Sequence, residues 1–406
     1  MPQETILILG ASFAGLGAAH YTLKHVLPTL PKSGNTTYTV TLVNPSTDFY
    51  WRIAGPRATV SKALMPPAKY LYPIAPAFAS YPKGSFTFIQ GTATTLSTSS
   101  RTATIALADG STTSIPYHAL IIATGTNTPA PQFSQHTTAA ALTAALDDFQ
   151  AALPNATSVI VAGGGPVGVE TAGEIGEFLN GTASFFGSKP AHPRAKVTLI
   201  SGDKKLLPIL RPAIALTAEK YLARVGVDVV YGVRVTSAAA GGKAGQTAVT
   251  LADGTVRSVD LYVDATGVRP NTRFLPRELL NERGFVACDP ATLRVDAAGP
   301  RVYVVGDVGS YTRGGVMDIE NALPVVMTNL KKDLTGGTGP DRTYTPNNLE
   351  QQIVPVGRGK GVGAFGGWRV PSWFVWMIKG RDYLSSMAPD TVSGKKWAKE
   401  GKWKGA

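Results

Sequence analysis

Two glycine-rich stretches carry the residue types and spacings in this 406-residue chain best suited to chemistry. The first, Gly10-Ala-Ser12-Phe13-Ala14-Gly15, follows an apolar run at 6–9. The second, Gly163-Gly-Gly165-Pro166-Val167-Gly168, follows Ser158-Val-Ile-Val-Ala162. An apolar strand that turns through glycine into a helix N-terminus presents backbone N–H donors and the positive end of a helix dipole, which suits a pyrophosphate. The second stretch completes G-x-G-x-x-G, with Pro166 where a missing N–H costs nothing. The first has Ser12 in place of the middle glycine and, taken alone, fits an ordinary strand-turn-helix as well as a dinucleotide site.

Other residues extend this chemistry. Asn44 follows the apolar run 38–43, where an acidic residue ordinarily hydrogen-bonds the adenosine ribose; it also suits a plain turn before Pro45. Arg52 and Arg57, in the aromatic-rich stretch 48–60, offer guanidinium forks to a pyrophosphate. Two surface arginines are the plain alternative. Ser201 follows the run 196–200 where an acid would select NAD over NADP, with Asp203, Lys204 and Lys205 just beyond; a small polar residue beside two lysines permits NADPH.

The elements that must position these residues recur. Two strand-turn-helix-strand units stand roughly 150 residues apart, and each is followed by a strand ending Ala-Thr-Gly: Ala123, Thr124 and Gly125, then Ala265, Thr266 and Gly267. Residues 301–307 add a strand ending Gly306-Asp307. One dinucleotide fold nested inside another explains this order. The expected fold is α/β, with two nested Rossmann-like dinucleotide-binding domains and a small C-terminal α+β domain. The expected boundaries are 1–128 and 271–345 for a flavin-binding unit, 129–270 for a nicotinamide-binding unit, and 346–406 for the remainder.

A hydrophobic fraction of 44% and a charged fraction of 16% describe globular domains rather than disorder. The single Cys288 excludes a disulfide framework and a redox cysteine pair, and fits a reducing compartment. No apolar run reaches the ~18 residues of a membrane span. A first strand entered by residue 6 leaves no room for a signal or transit peptide, and Pro2 excludes N-myristoylation. A cytoplasmic protein is expected. The net charge of +12 draws on the C-terminal section, where ten basic and three acidic residues follow position 357. Lysines mixed with Trp397 and Trp403 in the stretch 395–404 suit peripheral contact with an anionic membrane. A core or dimer-forming segment followed by a solvated tail is the alternative, and the oligomeric state stays open. Basic charge alone gives only salt-sensitive, non-specific nucleic-acid binding, and no base-reading motif accompanies it.

The glycine sites, both Ala-Thr-Gly strands and Val-Gly-Asp307 resemble the two-dinucleotide-domain flavoproteins of the pyridine nucleotide-disulfide oxidoreductase superfamily across roughly residues 5–330. No cysteine pair follows the first helix, so the disulfide branch is excluded. The resemblance implies that the first glycine site holds FAD and that Asp307, after Gly306, bonds the ribityl chain. It also implies that the backbone near Ala93 meets the adenine and that the helix around Asn321 and Ala322 points at the flavin's pyrimidine end. The second site would take NADH or NADPH. Residues 49–60 and 163–174, with Gly357-Arg-Gly-Lys-Gly-Val-Gly363 and Lys379-Gly-Arg-Asp382, look more closely like the AMID family, also called apoptosis-inducing factor 2 or ferroptosis suppressor protein. Type II NADH:quinone oxidoreductases are more distant kin. That resemblance implies an FAD enzyme passing hydride from NAD(P)H to a quinone, with Glu170 near the flavin–nicotinamide junction and Lys379 near the reaction centre. Ser12, Asn44, Arg52 (where an Asn or a His-like polar residue is usual) and the missing myristoylation glycine depart from the pattern. The rival functions are an FAD oxidoreductase acting on a small biosynthetic metabolite and a redox-sensing nucleic-acid-binding protein.

Overall fold

The apolar run that opens the chain lies in the strand Gln3–Leu9, where Ile6, Leu7, Ile8 and Leu9 are buried. Parallel strands pair on both sides of it, Thr37–Asn44 and Ala119–Ile122. With neither face open to solvent, the run is continuous rather than alternating. These features come from a computed structural model, which describes residues 3–31, 37–134 and 138–403. Pro2, Lys404 and the middle of the polar insertion at 28–37 lie outside the described residues.

Seven strands form the larger sheet, in the order Val302–Val304, Ala119–Ile122, Gln3–Leu9, Thr37–Asn44, Phe86–Ser97, Thr102–Leu107 and Thr112–Pro116. The first five run parallel, and the last two fold back as antiparallel neighbours. A second, four-stranded parallel sheet is ordered Val227–Tyr231, Lys196–Ser201, Ser158–Ala162, Leu261–Asp264. Its residues are inserted in the chain between Ala119–Ile122 and Val302–Val304, which is the nested α/β arrangement expected. One antiparallel strand pair, Thr126–Asn127 with Arg269–Pro270, ties the sheets together. There the Thr124 hydroxyl donates to the Asn271 carbonyl at 2.8 Å, and the Asn271 amide donates back to the Thr124 carbonyl at 2.9 Å. The ends of both Ala-Thr-Gly strands are thereby held side by side.

The chain ends in an antiparallel sheet, Gln352–Val356, Lys360–Phe365 and Trp368–Arg369, followed by short helical turns. The indole of Trp51 donates to the Tyr383 carbonyl at 2.9 Å and docks this region. The last residues then fold over the outer face of the helix Phe13–Tyr21. His20 Nε2 faces the Val392 carbonyl at 2.8 Å, so that nitrogen carries the ring proton and Nδ1 accepts from Tyr81 at 2.8 Å. The His25 ring meets the Trp397 carbonyl at 2.8 Å, and the Gly401 amide donates to Tyr21 at 3.0 Å. The tail is thus docked on the body of the protein, with Lys395, Lys399 and Lys402 left exposed. Trp397 packs beside Gly17, Lys396 pairs with Glu320, and Trp397 and Trp403 are both partly buried. Trp368, Trp373 and Trp376 are exposed instead, at 81%, 65% and 43%.

Candidate active site

The two glycine turns repeat one piece of steric engineering. Gly10 has a φ of +101° and donates to the Val43 carbonyl at 2.8 Å; Gly163 has a φ of +119° and donates to the Ile200 carbonyl at 2.7 Å. A Cβ on Gly10 would sit 2.4 Å from the Ala123 carbonyl oxygen, and one on Gly163 would sit 2.1 Å from that of Ala265. This close approach is why each glycine turn recurs with an Ala-Thr-Gly strand beside it. Gly15 and Gly168 bring each helix down onto its turn, since a Cβ there would fall 1.7 Å and 1.9 Å from the carbonyl oxygens of Gly10 and Gly163. Only glycine permits either contact.

Neither helix is capped by a side chain. Ser12 begins Phe13–Tyr21 and Gly165 begins Pro166–Asn180 with no side-chain cap, and no acid stands in either first turn. The first-turn N–H groups are left to a ligand, and an anion is what they attract. Both turns open on one cavity of about 890 Å³. Its wall includes Ser12, Phe13, Ala14, Asn44, Arg52, Ala123, Thr124, Gly125, Gly306 and Asp307 from the flavin side of the prediction. From the nicotinamide side it includes Gly163, Gly165, Pro166, Val167, Ser201 and Gly267, and it adds Glu170 and Lys379. Gly10, Gly15 and Gly168 shape the wall from behind.

Several expected roles change. Asn44 is buried in the wall, and its side chain stitches the turn: Oδ1 accepts from the Ala11 N–H at 2.9 Å, and Nδ2 donates to the Ser46 carbonyl at 2.8 Å. A carboxylate could not make the second bond, which gives Asn a reason to stand here. Arg57, expected at a pyrophosphate, is buried and paired with Glu174 at 2.7 Å, its guanidinium 4.7 Å from the Tyr383 ring centre. Ala93 does not line the cavity; its strand residue pairs with Ile105 and packs into the core under the larger sheet. Asn321 is exposed and Ala322 is in the core, because the helix Val316–Thr335 presents its first turn, through Gly315, Val316 and Ile319, to the cavity. Arg52 does reach the wall, donating to the Thr126 carbonyl at 3.0 Å; burial pulls its guanidinium down and Asp307 opposes that. Asp307 itself accepts from the Gly315 N–H at 2.9 Å, so the strand end and the helix start are joined across the cavity.

Set in and behind the wall is a charge cluster whose assembly no local sequence signal announces. Glu170 and Glu174 stand one turn apart on Pro166–Asn180 and face the same way. Lys379 Nζ meets Glu170 Oε1 at 2.5 Å and the Ile353 carbonyl at 3.4 Å, and Tyr383 donates to Glu174 at 3.1 Å. Burial raises the Glu170 carboxyl above its ordinary range, Lys379 opposes this, and Glu174 adds to it. Burial and Glu174 push the Tyr383 phenol well up, so it remains a donor. The pair Glu170–Lys379 is therefore a largely buried ion pair on the cavity wall, with Glu174, Arg57 and Tyr383 packed behind it. Among the described residues no cluster of His, Cys, Asp and Glu is arranged for a metal ion.

Two nested dinucleotide folds whose glycine turns share one cavity define an oxidoreductase of the two-nucleotide flavoprotein class. The chain belongs to the pyridine nucleotide-disulphide oxidoreductase family, which matches residues 4–324. FAD and NADH or NADPH are its cofactors, and the uncapped helix starts and glycine cradles fit both. Oxidoreductase phnG of Penicillium herquei is 44% identical over 409 residues, covering 98% of each chain. Ferroptosis suppressor protein 1 of Xenopus tropicalis is 26% identical over 395 residues, 94% of each, which bears out the AMID resemblance. Among solved structures, the sulfide:quinone oxidoreductase of Aquifex aeolicus aligns with a TM-score of 0.71 at 16% identity, covering 96% of this chain and 92% of that one. NDH2 of Plasmodium falciparum, solved with NADH, aligns at 0.65 and 14% identity over 98% and 99%. These two likenesses are of fold.

Proposed function

We propose that this enzyme passes a hydride from NAD(P)H to FAD and on to a quinone-type acceptor. The observation that carries the reading is the Glu170–Lys379 couple on the wall of a cavity shared by both glycine turns. In this reading residues 1–128 and 271–345 hold FAD and 129–270 hold the nicotinamide nucleotide. The bound flavin supplies hydride acceptance and return. Ser12 to Gly15 and Gly165 to Gly168 orient the two pyrophosphates through backbone N–H groups. Asp307 bonds the ribityl chain, with Arg52 beside it on the cavity wall. Lys379 Nζ presents a positive charge and a proton, and Glu170 Oε1 keeps that group aimed and resupplies it. Quinone reduction consumes one hydride and one proton, and the couple is the proton source within reach of the cavity.

The sulfide:quinone oxidoreductase fold and the family resemblance support a quinone over a small metabolite. Steady-state oxidation of NADH and NADPH against water-soluble quinones, small carbonyl compounds and oxygen tests this. The expected result is quinone turnover well above oxygen turnover, falling by about 100-fold in Glu170→Gln with flavin still bound. Turnover only with a carbonyl compound or oxygen, or a Glu170→Gln rate like wild type, overturns the reading.

A lipid-soluble acceptor calls for a membrane surface, and we place that contact away from the docked tail. Exposed Phe365, Trp368, Trp373, Trp376 and Met377 stand beside exposed Arg358, Lys360 and Arg369. Among the described residues no helix is long and apolar enough to cross a membrane. Aromatic rings flanked by cations suit headgroup depth. Flotation with anionic vesicles should be lost in high salt and in Trp368→Ala/Trp373→Ala. Absence of anionic-vesicle binding in the parent protein contradicts the placement.

A further inference from the structure

We infer that Arg234, seated over Gly202 at the rim of the second glycine turn, takes the adenosine 2′-phosphate and selects NADPH over NADH. The inference rests on the reading that this turn holds the nicotinamide nucleotide. The strand Lys196–Ser201 ends in a buried Ser201, whose hydroxyl oxygen would be 2.4 Å from a Cβ on Gly164 and so lies against the turn itself. An acid in that place would bind both ribose hydroxyls and repel a phosphate; serine does neither. Arg234 comes from a different part of the chain, 33 positions on. The backbone brings it in. The Val233 N–H donates to the Ser201 carbonyl at 3.4 Å, the Gly232 N–H donates to the Asp203 carbonyl at 3.3 Å, and the Arg234 carbonyl accepts from Ala252 at 2.8 Å.

The Arg234 side chain then runs across Gly202. A Cβ added there would lie 2.8 Å from Arg234 Cγ and 3.1 Å from Nε. Arg234, Ser201, Gly202 and Asp203 all line the cavity that holds the second glycine turn. Arg234 is exposed, and among the described residues it makes no ion pair. The lysines expected to serve this role do not compete for it. Lys205 donates to the Leu210 carbonyl, and Lys204 is exposed and outside the cavity wall. A planar fork of donors next to a small hydroxyl residue is suited to a phosphate dianion. Asp203 is the one acid at the rim and is the natural alternative partner for an unphosphorylated ribose.

Calorimetric titration of the flavin-loaded enzyme with 2′,5′-ADP and with 5′-AMP isolates the 2′-phosphate without turnover. The expected result is roughly 10- to 100-fold tighter binding of 2′,5′-ADP, the range of one or two charge-assisted hydrogen bonds. Arg234→Gln should bring that ratio toward one. Gly202→Ala, which keeps the charge but displaces the side chain, should lower it in the same direction, and the kcat/KM ratio of NADPH to NADH should follow. Equal binding of the two probes by the parent enzyme, or a ratio unmoved by Arg234→Gln, overturns the inference. If neither probe binds and neither coenzyme reduces the flavin, the assignment of the second turn falls with it.

Discussion

At the scale of single residues, Arg57 and Glu174 form a buried ion pair beside the cavity wall. Arg57 has the right chemistry for a phosphate, yet Glu174, 117 positions away, takes its guanidinium in a buried pair. Nothing in the local spacing marks which of two nearby arginines, Arg52 or Arg57, will face the cavity. Such a pair contributes little net stability, but breaking it leaves a charge without a partner where solvation is poor. Arg57→Met should therefore lower unfolding free energy by about 3–5 kcal/mol in denaturant titration. Adding Glu174→Leu should recover much of that loss. A single-variant loss under about 1 kcal/mol would show that water reaches Glu174.

At the scale of elements, the glycine turns were legible because their constraint is local: a carbonyl oxygen sits where a Cβ would be, and the residues involved are neighbours in sequence or in a recurring motif. The helix at Val316–Thr335 was legible as an element, but its working end was not. Its cavity contact is the first turn at Gly315, Val316 and Ile319 rather than Asn321 and Ala322, since Asn321 points to solvent. Least legible was the docking of the tail, which depends on contacts spanning some 370 residues, such as that of His20 with Val392. That contact carries a pH signature. Burial pulls the His20 imidazole from 6.5 down to about 4, against a smaller raising effect from the Val392 bond. Between those values the unfolded chain binds a proton that the native chain does not, so stability falls as pH falls, by about 1.4 kcal/mol per unit. Denaturant titrations from pH 6.5 to 5 should show a loss of about 1.6 kcal/mol that is absent from His20→Gln. Equal pH slopes in the two proteins would remove His20 from the explanation.

At the scale of the whole molecule, the nesting of one dinucleotide fold in another was visible because the motif occurs twice with a third strand ending Gly306-Asp307 beyond it. The sharing of one cavity by both turns was not visible, because it depends on Thr124 and Asn271 locking the two sheets at their strand ends. In the proposed reading that shared cavity allows direct hydride delivery between the nucleotides, and the Glu170–Lys379 pair on its wall supplies the proton. Anaerobic stopped-flow mixing tests both together. The enzyme's flavin absorbance should be lost on mixing with NADPH or NADH and restored by a second mixing with a water-soluble quinone, with restoration slowed in Lys379→Met and flavin loss largely retained. Flavin absorbance untouched by either coenzyme, or reduced flavin that no quinone reoxidises, would contradict the proposed transfer.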